Sequence, residues 1–153
     1  MSSKHFISRN GWFSLSLPDG WEEYNDGDDS DNYAFFNAAA KSWTGNFRIT
    51  SFRWTDLIDS SEDKASQYIE EELAKEGVQN IRLGSFNCAH YKEESIQDDD
   101  EQVVYYWITG KTSDLYICSF VIDKKQENTS INLQELDSVQ NMIGSIQPNY
   151  ATK

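Results

Sequence analysis

The sequence predicts an α+β fold in which an antiparallel β-sheet carries helices packed on its faces. Short runs of alternating or continuous apolar residues, separated by turn residues, recur along most of the chain and indicate strands. Two other segments repeat apolar residues at helical spacing. With 153 residues, of which 38% are hydrophobic and 14% aromatic, the chain has the length and composition of a single domain spanning 1–153.

The chain opens with a predicted β-hairpin. Asn10-Gly11 readily takes the positive φ angles of a tight turn, and it stands between the apolar runs Phe6-Ile7 and Trp12–Leu17. Alternation makes one face of the second run apolar. Pro18-Asp19-Gly20 then ends this strand, and Trp21–Tyr24 resumes as a short one.

The next predicted strands are Tyr33–Phe36 and Phe47–Trp54. Along the second, the large apolar residues change from one face to the other between Ile49 and Phe52. Either a bulge intervenes or both faces of this strand are covered.

The internal helix is predicted to run from a cap at Ser60 or Ser61 to Glu76, with Gly77 as its stop. Its inner face repeats at helical spacing and consists of Ala65, Tyr68, Ile69, Glu72 and Leu73. Its outer face is mainly acidic, with Glu62, Asp63, Glu70, Glu71 and Glu76 against Lys64 and Lys75.

Four strands are predicted to follow, namely Ile81–Leu83, Phe86–Tyr91, Val103–Thr109 and Leu115–Ile122. The last two form a long hairpin across Gly110–Asp114. Because both faces of this hairpin are apolar or aromatic, it belongs in the middle of the sheet, with layers on both sides.

A second amphipathic helix closes the predicted fold. Its apolar face contains Leu133, Leu136, Val139, Gln140 and Ile143, and Gly144 ends it. Ser145-Ile146-Gln147 adds a short terminal strand before Pro148.

These elements together resemble the PsbP-like superfamily. The resemblance rests on Trp12–Trp21, a strand ending in a Pro-x-Gly-Trp turn, followed by antiparallel strands, one internal helix and a closing helix with Ser145-Ile146. It implies an α/β/α sandwich whose members bind other proteins and do not catalyse reactions. The resemblance is nearest to small bacterial families of this superfamily, some of them encoded beside secretion or toxin systems.

Charge and composition restrict the class of partner. Thirteen basic residues against twenty-six acidic ones give a formal charge of −13, which repels nucleic acid and anionic membranes and favours a basic protein partner. The chain contains no apolar run of membrane-spanning length and no signal-peptide pattern, so we expect a cytoplasmic protein. Its two cysteines, Cys88 and Cys118, fit buried thiols of a reducing compartment.

The sequence nominates no catalytic residue, cofactor site or metal site. Its two histidines are His5 and His90, and His90 shares a predicted strand face with Cys88. Positions two apart on a strand lie about 6.6 Å apart along it, which is too far for a direct thiol and imidazole pair. This pair would also supply only two of the roughly four ligands of a structural zinc site.

Two acidic stretches and one aromatic cluster remain as candidate protein-interaction sites. The run from Asn25 to Asp31 departs from the EF-hand calcium template, and Asp98–Glu101 is a charged hairpin turn. Trp43, Phe52 and Trp54 lie near Arg48 and Arg53, a combination typical of interfaces as well as of cores. The nominated residues are Asp26, Asp28, Asp29, Asp31, Trp43, Arg48, Arg53, Trp54, Asp98, Asp99, Asp100 and Glu101.

These features lead to the hypothesis of a non-enzymatic protein-binding module, such as a chaperone or an immunity protein for a secreted effector. The alternative is a small-molecule or metal-binding domain that uses a cavity between helix and sheet. We expect the acidic stretches to form one docking face if the fold brings them together, and to serve only solubility if it does not.

Overall fold

A computed structural model describes residues 3–24, 32–54 and 63–149 of the chain. The strands in these ranges are β1 (Ser3–Ile7), β2 (Phe13–Pro18), β3 (Trp21–Glu23), β4 (Asn32–Asn37), β5 (Asn46–Arg53), β6 (Gln79–Leu83), β7 (Phe86–Gln97), β8 (Asp100–Lys111), β9 (Asp114–Asp123) and β10 (Gln147–Pro148). The helices are α1 (Lys64–Leu73) and α2 (Ser130–Gly144), and a 3-10 turn, Lys124–Gln126, lies between β9 and α2.

The described strands form two antiparallel sheets. The larger has seven strands in the order β3-β4-β5-β9-β8-β7-β6, and the smaller has three in the order β1-β2-β10. Helix α1 packs on one face of the large sheet, and α2 packs on the other face together with the small sheet. The predicted α+β class, an antiparallel sheet with helices on its faces, is confirmed.

Alternation and turn chemistry explain most of this layout. Strands β1 and β2 pair across Asn10-Gly11, where Gly11 has a φ of 75°. Phe13, Leu15 and Leu17 of β2 are buried in the larger core, as the alternation predicted. The predicted hairpin of β8 and β9 is also confirmed, and both strands lie inside the large sheet with apolar residues on both faces.

Strand β5 has no bulge at the point where its large apolar side chains change from one face to the other. Strand β5 pairs with β9 in one continuous register from Asn46 to Arg53. Phe47 and Ile49 face the larger core, whereas Trp54, just after the strand, packs against the smaller core under α1. Both faces of β5 are therefore used, although Phe52 remains 41% exposed.

Helix α1 is shorter than predicted. It begins at Lys64 because the Asp63 carboxylate accepts a hydrogen bond from the Ser66 N–H at 2.9 Å and caps the first turn. The same carboxylate accepts from the Thr112 N–H, which ties the helix to the β8–β9 turn. The proposed caps, Ser60 and Ser61, lie outside the described residues, and the predicted extension to Glu76 is wrong because the helix ends at Leu73.

Helix α2 has the predicted position, and three residues of its predicted apolar face, Leu136, Val139 and Ile143, do pack in the core. Thr129 caps it by accepting from the Asn132 N–H. Its buried residues are Asn132, Glu135, Val139, Met142 and Ile143, whereas Leu133 is 54% exposed. The prediction that Leu133 belongs to the inner face is wrong, because the polar residues Asn132 and Glu135 occupy the inward stripe. Neither α1 nor α2 is long and apolar enough to cross a membrane.

Candidate functional site

Strand β7 extends beyond its neighbour and leaves an open sheet edge. Strand β6 pairs with β7 only between Phe86 and His90, whereas β8 pairs with β7 as far as Gln97. From residue 91 to residue 97, β7 therefore has β8 on one side and no described strand on the other. We call residues 91–97 of this strand the β7 edge.

The register identifies which main-chain groups the β7 edge presents. Gln97 and Asp100 flank a two-residue turn, Asp98-Asp99, whose φ angles of 51° and 68° are those of a type I′ hairpin. The two residues that flank such a turn are hydrogen-bonded to each other through the N–H and C=O groups of both. Along an antiparallel pair of strands, residue pairs of this kind alternate with pairs that make no hydrogen bond to each other. The N–H and C=O groups of Lys92, Glu94 and Ile96 therefore point away from β8, toward the open side.

The hairpin that carries the β7 edge is acidic, mainly at its turn. Residues 91–101 contain one lysine, Lys92, against six acids, namely Glu93, Glu94, Asp98, Asp99, Asp100 and Glu101. Lys92 Nζ lies 2.5 Å from Glu127 Oε2, and Lys124 Nζ lies 2.9 Å from Glu94 Oε2. Because its only lysine is already paired with Glu127, the hairpin as a whole presents negative charge to solvent.

A polar cleft of about 420 Å³ adjoins this edge on the α2 side. It lies beside Gln79, where β6 begins, between strands β7 and β8 and the residues that lead into α2. We call it the α2 cleft, and the side chains that give it chemical character are His90, Lys92, Tyr105, Glu127 and Asn128.

His90 has a defined tautomer in this cleft. Its Nδ1 lies 2.8 Å from the Tyr106 carbonyl oxygen, and its ring stacks on Trp107 with centroids 4.9 Å apart. Because a carbonyl only accepts, Nδ1 carries the proton and Nε2 of the neutral ring is left as an acceptor. Burial lowers the pKa of His90, which favours this neutral form.

Tyr105 is the buried tyrosine that lines the cleft. Burial raises the pKa of Tyr105, with a further rise from Glu127, so its hydroxyl stays protonated and can donate. Asn132 is buried beside it, and its Oδ1 accepts from the Asn128 N–H at 2.9 Å. A side-chain hydrogen bond from Asn132 partly offsets the rise in the pKa of Tyr105.

The sequence matches the domain of unknown function DUF3805 over residues 1–144. This chain belongs to the DUF3805 family. No curated protein matches it. The order of elements expected from the Pro-x-Gly-Trp signature is the order observed, so this DUF3805 domain has a PsbP-like fold.

Three solved structures resemble this DUF3805 chain. A protein of Bacteroides thetaiotaomicron VPI-5482 is 26% identical with a TM-score of 0.77, and the match covers 100% of this chain and 51% of that one. The DUF3805 chain thus spans about half the length of that protein. LpqN of Mycobacterium tuberculosis, involved in cell envelope biogenesis, is 9% identical with a TM-score of 0.51, covering 97% of this chain and 91% of its own. Cyanobacterial PsbP (CyanoP) of Synechocystis sp. PCC 6803 is 10% identical with a TM-score of 0.43, covering 97% and 93%.

One acid from α1 and one from the β7 edge lie near the same phenol in this DUF3805 domain. Burial, with the carboxylates of Glu72 and Glu93, raises the pKa of Tyr91 to about 12. Glu72 belongs to the buried face of α1, however, and not to its acidic outer face. The turn Asp98–Glu101 continues the same edge, and its four acids are exposed. The candidates Asp26, Asp28, Asp29 and Asp31 lie outside the described residues.

The aromatic and arginine candidates do not share one surface. Arg48 and Trp54 lie on the α1 side of the large sheet, whereas Arg53 lies on the opposite side. Arg53 is largely buried, and its Nε is 2.6 Å from Asp114 Oδ1. Trp43 lies in the β4–β5 connection, is 39% exposed and donates from its indole N–H to Asn46 Oδ1.

The thiols do not add a nucleophile to the cleft. Cys88 and Cys118 are free and buried, and burial raises the pKa of both, so they stay protonated. The described residues contain no group of three or more side chains placed to hold a metal ion.

Two features of the site were missed from the sequence. Asn132 and Glu135 stand at the three- and four-residue spacing of Val139 and Met142, and this spacing is the one sequence signal that places them on the inner face of the helix. The open part of the β7 edge had no sequence signal, because the length of β7 relative to β6 depends on pairing between distant strands.

Proposed function

We propose that this chain is a protein-binding module that takes up an extended, basic segment of a partner as an additional strand on the β7 edge. The observation that carries the proposal is the open row of main-chain groups at Lys92, Glu94 and Ile96. Strand addition to such an edge uses main-chain hydrogen bonds for affinity and side-chain contacts for specificity.

The charge of the edge supports a basic partner. Natural proteins protect open edges with charged side chains, which suppress pairing with uncharged or like-charged strands. Residues 91–101 contain six acids and one lysine, so a positively charged strand is electrostatically complementary to this hairpin. Glu71 and Glu76 of the helix and its following turn are also exposed and enlarge the negative field.

The dimensions of the edge support a short recognition segment. The outward groups from Lys92 to Ile96 span four residue steps, or about 13 Å of strand. A peptide of about six to eight residues covers this length. Strand addition is also how some chaperones hold a client segment, which is consistent with a chaperone or immunity role.

A binding experiment with one pair of variants tests the proposal. The probes are two eight-residue peptides of alternating valine with either lysine or glutamate, titrated at low salt by fluorescence anisotropy. We expect the lysine peptide to bind and the glutamate peptide not to bind. In ¹H-¹⁵N spectra, the lysine peptide should shift the amides of Lys92, Glu94 and Ile96 most.

Glu94→Pro and Glu94→Ala separate main-chain from side-chain recognition. Both remove the carboxylate, but only proline removes the outward N–H, and neither disturbs a hydrogen bond to β8. We expect at least about tenfold weaker binding for Glu94→Pro than for Glu94→Ala, with both variants folded by circular dichroism. Equal affinities of the two folded variants, or binding of the glutamate peptide, would refute strand addition.

A further inference from the structure

The side chains of the β7 edge alternate between the two faces of the large sheet. Cys88 of the same strand lies in the larger core, on the side of α2, whereas Tyr91 packs against the smaller core under α1. We call these sides the α2 face and the α1 face. The α2 face of the edge carries Lys92, Glu94 and Ile96, and the α1 face carries Tyr91, Glu93 and Ser95. A strand added to the edge would therefore meet two different surfaces.

The charged side chains of the edge on the α2 face are already paired. Lys92 Nζ lies 2.5 Å from Glu127 Oε2, and Lys124 Nζ lies 2.9 Å from Glu94 Oε2. Ile96 on the same face is 72% exposed, more than any other large apolar side chain in the described residues. A charged side chain here would compete with an existing ion pair, whereas an apolar one would cover Ile96. The α2 face therefore favours uncharged, apolar residues.

Glu93 gives the α1 face a different character. Its side chain is exposed, and its carboxylate forms no ion pair or hydrogen bond within the described part of the chain. Burial raises the pKa of Tyr91 and of Tyr106, and Glu93 adds to the rise in both, so its carboxylate lies near the two phenols. Their rings stack with centroids 4.8 Å apart. A lysine or arginine side chain can pair with this carboxylate and lie against a neighbouring phenol ring.

The register places Glu93 where an added strand comes closest. The main-chain groups of Lys92 and Glu94 point to the open side, so these residues would form hydrogen-bonded pairs with the added strand. Glu93 lies between them at a non-hydrogen-bonded position, where opposite Cα atoms are about 4.5 Å apart and not about 5.5 Å. The residue opposite Glu93 therefore makes the closest side-chain contact, and a long side chain there also reaches the diagonal neighbour Tyr91.

We propose that the β7 edge selects a two-faced strand, with lysine or arginine on the α1 face opposite Glu93 and aliphatic residues on the α2 face against Ile96. This inference rests on the proposed strand addition, which by itself requires only main-chain pairing and a positive charge. Its further content is the orientation of the partner segment. Basic and aliphatic residues alternate along it, and the basic ones point to the α1 side.

Two variants of neighbouring glutamates test this orientation. Glu93→Gln and Glu94→Gln each remove one charge but act on opposite faces, so the long-range attraction of the lysine peptide changes equally. We expect about threefold to fivefold weaker binding of this peptide by Glu93→Gln, and a change of less than about twofold for Glu94→Gln. Equal losses in the two folded variants, or a larger loss for Glu94→Gln, contradict the two-faced strand.

A block peptide isolates the alternation. It contains the same valines and lysines as the lysine peptide, but in one block of each, so its charge is equal while its lysines fall on both faces. We expect at least about threefold tighter binding of the alternating peptide. NOE spectra should show contacts from its lysine side chains to Tyr91 and from its valine methyl groups to Ile96. Equal affinities of the two peptides, or the reverse contacts, overturn the orientation.

The outcomes for the orientation and for strand addition are distinguishable. If the lysine peptide binds at the amides of the β7 edge, but Glu93→Gln and the block sequence leave its affinity unchanged, the two-faced strand is wrong and strand addition stands. If the lysine peptide does not bind the wild-type chain, both are wrong.

Discussion

Arg53 and Asp114, which are neighbours across β5 and β9 of the large sheet, form a buried ion pair. The two side chains are 11% and 1% exposed, and the guanidinium also donates to the carbonyl oxygens of Trp12 and Asn149. Arg53→Ala should lower the free energy of unfolding by about 3–5 kcal/mol, because it leaves the Asp114 carboxylate buried without its partner. Urea denaturation measures the loss.

The exposed arginine Arg82 of β6 provides the control. Within the described part of the chain its guanidinium bonds only Asn87, at 3.3 Å, so Arg82→Ala should cost no more than about 1 kcal/mol. The double variant Arg53→Met and Asp114→Leu should be more stable than Arg53→Ala, since it removes both buried charges. Similar losses for Arg53→Ala and Arg82→Ala would show that the pair is not a structural anchor.

His90 gives the stability of the domain a pH dependence with a definite sign. Burial lowers its pKa below the ordinary value of 6.5, so the unfolded chain binds more protons between the folded pKa and pH 6.5. This contribution is complete above pH 6.5 and is lost as pH falls below it. Glu127 and Lys92 line the same cleft and stay charged across this window.

The measurement is the free energy of unfolding of wild type and His90→Gln between about pH 5 and 7.5. Wild-type stability should fall more steeply on acidification than that of the variant, and the difference should level off above pH 6.5, the ordinary histidine value. Parallel curves would mean that the ring is as easily protonated in the folded state as in the unfolded chain.

Helix α2 is held by a buried carboxylate as well as by apolar packing. Glu135 Oε2 accepts from Asn37 Nδ2 at 2.8 Å and from Thr44 Oγ1 at 2.5 Å, which links the helix to β4 and to the β4–β5 connection. Glu135→Ala should cost about 2–4 kcal/mol, because it leaves both donors unsatisfied and opens a cavity. Urea denaturation again measures the change.

Glu135→Gln is the matched variant at this position. Its amide oxygen can accept from both donors at nearly the same place, but its amide nitrogen replaces Glu135 Oε1, which is buried without a partner among the described residues. We therefore expect a loss of about 1–2 kcal/mol, smaller than for Glu135→Ala. If the glutamine and alanine variants are equally unstable, the charge of Glu135, and not its hydrogen bonds, holds the helix.

Across the whole molecule, local patterns predicted the fold better than the site. The β1–β2 and β8–β9 hairpins follow from turn residues and alternation, which act between neighbours in sequence. Which face of α2 is buried depends on Asn37 and Thr44, which lie about a hundred residues from Glu135 in the sequence. Both donate hydrogen bonds to the Glu135 carboxylate, so this polar side chain can be buried. The β7 edge likewise depends on where β6 begins, and only the assembled sheet fixes this.

The acidity of the whole chain predicts opposite effects of salt on stability and on binding. With a formal charge of −13, the folded domain is destabilised by self-repulsion, and salt screens that repulsion over about 10 Å at 0.1 M. Raising sodium chloride from about 20 to 300 mM should therefore raise the melting temperature. The same screening should weaken binding of the lysine peptide, since its attraction to the β7 edge is also electrostatic.

A variant with an uncharged β7–β8 turn tests the effects of salt on stability and on binding together. A variant with Asp98→Asn, Asp99→Asn, Asp100→Asn and Glu101→Gln removes four charges but keeps side-chain size, so both the gain in melting temperature with salt and the loss of affinity with salt should become smaller. Thermal melts and peptide titrations of both proteins over one salt series measure this. If salt lowers the melting temperature, or if the variant binds the lysine peptide with unchanged salt dependence, the acidic hairpin neither strains the fold nor steers the partner.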